Sequence, residues 1–206
     1  MEVEVSFVPE SWISKYPDAG GYFPFAIDGT RSYVVDFIID AEESNNFISN
    51  WMLQLNEFPI YVYVEIFEFQ TEEFEHDCKL HNIEYKPLKI KKANDYAYKA
   101  IIKNSEQFNA LFPHLDSAGS MNNLVLWSLQ KDVFTFKQKE YKTLFGIRNI
   151  VTPTISMSKD STVFWIGYDG QNIVALSNNK KFLSINSIRN QFPPKTNVVT
   201  IQCEEE

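Results

Sequence analysis

The longest run of β-branched and aromatic residues in the chain lies at positions 59–69. Because strand side chains alternate between two faces, one face of this run would carry aliphatic side chains and the other mainly aromatic ones. The two sets are Ile60, Val62, Val64 and Ile66, and Tyr61, Tyr63, Phe67 and Phe69. A strand that is apolar on both faces must be covered on both faces, so we predict that it lies in the interior of a sheet.

Shorter patterns of apolar and polar positions predict the other elements. Alternation and short apolar runs predict strands at 3–7, 32–39, 96–103, 124–129, 133–136, 163–168, 172–177 and 197–202. Apolar residues at helical spacing predict helices after Asp40, from Ser105 onward and at 184–192, and the acidic stretch at 71–80 is compatible with a further short helix. Pro113 is expected to shorten the third helix, and residues 116–120 to form a loop. Residues 137–160 fit neither pattern.

These elements predict an α+β fold, with mixed or mainly antiparallel sheets covered by three to four short helices. Strand, polar cap, helix and strand recur at 34–69, 98–129 and 173–202, although identity between the copies is too low to indicate duplication. A Lys-rich stretch at 81–94 favours an acidic α+β subdomain at 1–92 followed by a second α+β subdomain at 93–206. A single compact domain is the alternative.

The composition of the 206 residues is that of an ordinary globular protein, with 44% apolar and 22% charged residues. Two distant cysteines, Cys78 and Cys203, make no disulfide framework, and neither a signal peptide nor an apolar run of membrane-spanning length is evident. We therefore expect a cytoplasmic protein with no membrane partner. Sixteen Lys against three Arg indicate an A/T-rich genome, such as that of a low-GC bacterium or its phages, and argue against nucleic-acid binding.

Charge is unevenly distributed along the chain. Residues 1–92 carry seventeen acids and seven bases, a net charge of −10, whereas residues 93–206 carry ten acids and twelve bases, a net charge of +2. Six carboxylates lie between positions 65 and 77 with no Lys or Arg among them: Glu65, Glu68, Glu72, Glu73, Glu75 and Asp77. This cluster predicts a docking face for a basic protein partner.

Catalytic and cofactor motifs do not stand out. The chain has no glycine-rich phosphate loop and no nucleophile elbow, so we expect no cofactor. A hydrolase that uses paired carboxylates is an alternative, because two of the six acidic residues could form a glycosidase-type pair, although sequence does not fix their separation.

A second alternative is a metal site at His76, Cys78 and His81, whose side chains are of the types that bind zinc. On a helix, residues 76 and 81 lie about 140° apart around the axis, so the two histidines would not converge. Cys78 is also a poor nucleophile candidate, since the surrounding negative charge would raise the pKa of its thiol.

The sequence therefore favours a non-catalytic cytoplasmic binding protein that sequesters or inhibits a basic protein, in the manner of immunity proteins, antitoxins or phage-borne inhibitors. Its oligomeric state is not indicated by the sequence.

Overall fold

The computed structural model describes residues 1–13, 22–30, 32–39, 41–88, 95–143 and 146–202. Within these ranges there are twelve strands: β1 (Glu2–Phe7), β2 (Ala26–Gly29), β3 (Tyr33–Ile39), β4 (Ile60–Phe67), β5 (Glu84–Leu88), β6 (Asp95–Ile102), β7 (Val125–Ser128), β8 (Phe134–Thr143), β9 (Gly146–Met157), β10 (Thr162–Ile166), β11 (Asn172–Ser177) and β12 (Asn197–Thr200). The α-helices in the same ranges are α1 (Ala41–Leu55), α2 (Thr71–Leu80), α3 (Ser105–Ser120) and α4 (Ile185–Arg189).

Nine strands form one sheet in the order β12-β1-β3-β11-β10-β7-β4-β6-β5, and the other three form a small sheet in the order β2-β9-β8. In the large sheet, β12 and β1 pair in parallel and every other neighbouring pair is antiparallel. The predicted α+β architecture, with mixed sheets and helices covering them, is confirmed.

Strand β4 lies inside the large sheet, between β7 and β6, as its apolar faces predict. Its aliphatic face, which includes Val62 and Val64, is buried against the helices. On the opposite face, Tyr63 is buried in a second core beneath the small sheet. The strand ends at Phe67, so Phe69 lies beyond the cover of either layer and is exposed.

The molecule therefore has three layers, with the four helices on one face of the large sheet and the small sheet on the other. The helix-side core contains Trp51, Trp127 and Phe164, and the Phe164 ring contacts both tryptophan rings. The core on the opposite side is built around Trp165 and Phe25. Burial of these large side chains is the main source of stability for both layers.

Each α-helix connects two strands that run parallel but are not neighbours. The connections are β3-α1-β4, β4-α2-β5, β6-α3-β7 and β11-α4-β12. Three of these are the strand-helix-strand repeats seen in the sequence. The contiguous segment from β4 to β7 has the strand order β7-β4-β6-β5, which is the connectivity of a ferredoxin-like β-α-β-β-α-β unit.

The predicted loop at 116–120 is wrong, because α3 continues past Pro113 to Ser120. Pro113 is exposed, while the apolar face of the helix extends beyond it through Leu115 and Gly119. At Gly119 the helix approaches β10 so closely that a Cβ would lie 2.4 Å from Cγ2 of Ile166. Packing of this face outweighs the backbone hydrogen bond that proline removes.

Residues 137–160, which the sequence left unassigned, contribute most of the long antiparallel hairpin β8–β9. The hairpin joins the small sheet through parallel pairing of β9 with β2. Proline at position 153, opposite Phe136, obscures the strand pattern. The predicted strand at 133–136 begins this hairpin and so lies in a different sheet from the predicted strand at 124–129.

Strands from both sides of position 92 pair within the large sheet: β4 with β6 and β7, and β1 with β12. The helix-side core runs from Val3 to Val198. The two halves thus share one sheet and one core, and the subdomain boundary at residue 92 stays a prediction. No helix in the described part of the chain is long and apolar enough to cross a membrane.

Candidate docking surface on helix α2

Helix α2 follows β4 through a short 3-10 turn at Glu68–Gln70 and runs back across the sheet. Phe74 and Cys78, four residues apart, face the core, so the remaining side chains of the helix face outward or sideways. The start of α2 is tied to the end of α3 because Gln70 Nε2 donates a hydrogen bond of 3.1 Å to Ser117 Oγ.

Glu65 does not contribute to the predicted docking face. Its side chain is 3% exposed, because it lies on the face of β4 that packs beneath the small sheet. The Tyr63 hydroxyl donates a hydrogen bond of 2.8 Å to Glu65 Oε1. Burial, and then the negative charge of Glu65, raise the pKa of the Tyr63 hydroxyl, so the tyrosine retains its proton.

Glu75 is half-buried and satisfied by neighbours in the sheet. Its Oε1 accepts a hydrogen bond of 3.0 Å from the Tyr98 hydroxyl, and its Oε2 accepts one of 3.3 Å from the Tyr85 hydroxyl. Lys79 Nζ lies 3.6 Å from Glu75 Oε2. Burial and the bond to Glu75 raise the pKa of the Tyr98 hydroxyl. The role of Glu75 is therefore to join α2 to β5 and β6.

Asp77 is also engaged inside the molecule. Its Oδ2 lies 2.8 Å from His114 Nε2, which links α2 to α3. The His114 ring contacts Phe74 edge-to-face at 5.8 Å, so the pair lies at the rim of the core. Asp77 therefore joins α2 to α3, whereas Glu75 joins α2 to the sheet.

Three of the six carboxylates remain at the surface. Glu68 is exposed and accepts a hydrogen bond of 3.4 Å from the Tyr96 hydroxyl. Glu72 and Glu73 are exposed, and no hydrogen bond or ion pair to either is present among the described residues. Glu72 and Glu73 thus lie on the solvent side of α2, and Glu68 lies in the turn that precedes the helix.

Two large apolar side chains flank this charge. Phe69, 74% exposed, stacks on Phe67 with ring centroids 5.7 Å apart, and Leu80, 63% exposed, lies at the other end of the helix. We call the set formed by Phe69, Glu72, Glu73, His76 and Leu80 the α2 stripe, because spacings of three and four residues place it along one outer side of the helix. The prediction of the docking face used charge alone and therefore missed Phe69 and Leu80. Their positions outside the buried face of the helix were the sequence signal that could have identified them.

The three candidate metal ligands do not share one site. Cys78 points into the core, His76 is exposed and His81 follows the end of the helix. Burial, and then the charges of Asp77 and Glu75, raise the pKa of the Cys78 thiol to about 12. In the described part of the chain, no three His, Cys, Asp or Glu side chains converge in a way that could hold a metal ion.

Cavities of about 320 and 240 Å³ are bounded by described residues. None of the six predicted carboxylates lines either of them. The paired-carboxylate hydrolase stays a prediction without a located site.

No protein-family model matches the sequence, and no curated protein or solved structure is significantly similar to it.

Proposed function

We propose that this chain is a non-catalytic cytoplasmic binding protein that sequesters or inhibits a basic protein, and that the α2 stripe is its docking surface. The observation that carries the proposal is the pair of exposed carboxylates at Glu72 and Glu73, which have no hydrogen-bond or ion-pair partner among the described residues and lie between the exposed side chains of Phe69 and Leu80.

The carboxylates steer a cationic partner toward the α2 stripe by electrostatic attraction. Glu72 and Glu73 are adjacent, Glu68 lies one turn away, and their mutual repulsion is relieved when a cationic surface covers them. Such complementarity accelerates association, and salt screens it because the Debye length is about 8 Å at physiological ionic strength.

The apolar residues slow the dissociation of the complex. Exposed aromatic side chains that enter a pocket on the partner are typical binding hot spots, whereas rim charges affect mainly the association rate. Phe69 is held in place by its stack on Phe67, so it loses little side-chain entropy on binding.

The test compares two variants of equal net charge. Replacing Glu72→Gln and Glu73→Gln removes two charges from the α2 stripe. Replacing Asp132→Asn and Asp160→Asn removes two exposed charges elsewhere, at positions of positive φ that asparagine adopts readily. Proteins captured from cell extract by the wild-type chain are identified by mass spectrometry, and association is then measured at two salt concentrations.

We expect a basic partner whose association rate at low salt falls about fivefold with the Gln pair and stays unchanged with the Asn pair. Phe69→Ala should raise the dissociation rate instead. An acidic partner, or an association rate that responds neither to salt nor to the Gln pair, would refute the proposal.

A further inference from the structure

A cavity of about 240 Å³ opens on the face of the large sheet opposite the helices. It lies far in sequence from the α2 stripe and involves none of its residues. Its lining combines aromatic, aliphatic and amide side chains from three strands and their connections: Tyr22, Ile38, Trp165, Tyr168, Gln171 and Asn172.

Three aromatic side chains line this cavity, and the Trp165 ring contacts both of the tyrosines. Trp165 is only 3% exposed. The Tyr22 ring lies 6.1 Å from it at an interplanar angle of 80°, and the Tyr168 ring lies 5.3 Å from it at 89°. Both tyrosine rings therefore pack edge-to-face against the Trp165 ring.

A partly buried carboxylate lies directly behind the lining. Asn172 Nδ2 donates a hydrogen bond of 2.6 Å to Asp36 Oδ1, and the Tyr22 hydroxyl donates one of 3.3 Å to Asp36 Oδ2. The absence of a side chain at Gly167 permits this arrangement, since a Cβ there would lie 1.7 Å from Asn172 Oδ1. The pKa of Asp36 is raised, because burial outweighs the two hydrogen bonds, which act to lower it.

A second carboxylate belongs to the same face of the sheet. Glu4 on β1 pairs in register with Ile38, which lines the cavity, and directly opposite residues have Cβ atoms about 5 Å apart. The six lining residues themselves include no charged side chain. The cavity thus combines aromatic walls with negative charge behind and beside them.

We propose that this cavity binds a small organic cation of the quaternary or methylated ammonium class. Aromatic rings attract such cations through the negative faces of their π systems, and a nearby carboxylate adds to the attraction. An anionic ligand would face two carboxylates without a compensating cation in the lining. The volume is below the roughly 300–1,000 Å³ of pockets that enclose whole drug-sized ligands, so it suits a cationic headgroup.

The first experiment compares two ligands of the same shape. Choline chloride and the neutral isostere 3,3-dimethylbutan-1-ol are titrated into the ¹⁵N-labelled protein, with sodium chloride matching the ionic strength. We expect choline to shift the amide resonances of Tyr168 and Gln171 saturably, and the alcohol to bind about tenfold more weakly. Trimethyllysine, titrated in parallel, shows whether a protein side chain or a free small molecule fits better.

Variants then locate the site. Tyr168→Leu removes an exposed wall and should weaken choline binding about tenfold, and Asp36→Asn, which keeps an acceptor for Asn172, should weaken it by a similar factor. Tyr33→Leu is the matched control, because Tyr33 is a similarly exposed tyrosine on the same strand as Asp36 but does not line the cavity. Thermal unfolding of each variant verifies that it is folded.

Equal binding of choline and the alcohol, no saturable choline binding at millimolar concentration, or an equal loss with Tyr33→Leu would each overturn the assignment. If Tyr168→Leu proves unfolded, Asp36→Asn decides the question.

Discussion

At the scale of single residues, burial raises the pKa of the Cys78 thiol more than the neighbouring acidic residues do. The thiol is fully buried between α2 and the sheet, and burial is the largest cause of the rise in its pKa to about 12. An ordinary cysteine has a pKa of about 8.5. The nucleophilic thiolate form of Cys78 is therefore almost absent at neutral pH.

We predict that Cys78 reacts about a thousandfold more slowly than free cysteine with a thiol reagent at pH 8, in proportion to its thiolate fraction. Cys203, outside the described residues, is replaced by Ser so that one thiol reports. The pKa of the Cys78 thiol is higher in the folded chain than in the unfolded chain. The thiol therefore leaves the free energy of unfolding unchanged below about pH 8.5 and lowers it as the pH rises from there toward 12. Unfolding in guanidinium should restore the ordinary rate, and a native rate equal to that of free cysteine would contradict the burial described here.

The carboxylates illustrate how far residue-level inference from sequence can reach. Composition predicted an acidic surface, and Glu72 and Glu73 are exposed as such a surface requires. Glu65 and Asp77 have the same functional group, but one is covered by the small sheet and the other lies against a histidine 37 residues away. These neighbours are brought close by long-range packing, which the number of charged residues in a segment does not reveal.

At the scale of elements, α1 shows how a helix is stabilised by one face. Leu55 is 7% exposed and belongs to the helix-side core, whereas Leu53, two residues earlier, is 41% exposed. The two leucines share one helix and one intrinsic propensity, so they isolate the contribution of burial.

We predict that Leu55→Ala lowers the free energy of unfolding by about 2–5 kcal/mol, because it removes buried methyl groups and leaves a cavity. Leu53→Ala, the matched control, should change it by about 0.5 kcal/mol or less. Urea denaturation of both variants gives the comparison. Equal effects would show that α1 does not pack on the sheet through the face that contains Leu55.

Elements with strong local periodicity were predictable, and those decided by tertiary contacts were not. The β4 strand and the α1 helix were predicted from the spacing of apolar residues within each segment. The continuation of α3 past Pro113 depends on the fit of Gly119 against Ile166, 47 residues away. The aromatic cavity was equally hidden, since Tyr22 and Trp165 are 143 positions apart and meet only in the folded sheet.

At the scale of the whole molecule, the large sheet combines strands that lie before residue 92 in the sequence with strands that lie after it. Strand β4 has both of its neighbours, β6 and β7, from beyond that position. Cutting the chain there would leave β4 with two unpaired edges and would divide the core that α1 and α3 share.

We predict a single cooperative unfolding transition, in which tryptophan fluorescence and far-UV circular dichroism have the same midpoint. Trp51 lies before the predicted boundary and Trp127 and Trp165 lie after it, so fluorescence reports on both halves. A fragment of residues 1–92 should be unfolded. Two separated transitions, or a folded fragment, would instead support two subdomains.

The ferredoxin-like unit from β4 to β7 is continuous along the chain, whereas the rest of the large sheet is assembled from segments on either side of it. During synthesis the middle unit can acquire all of its strands while one edge of β3 still lacks its partner. Strand β3 ends at Ile39 and β11 ends at Ser177, 138 residues later, which corresponds to about 7–28 s at roughly 5–20 residues per second. For that interval the unpaired edge of β3 can pair with another extended chain, so a chaperone that binds β3 would protect the nascent protein from aggregation.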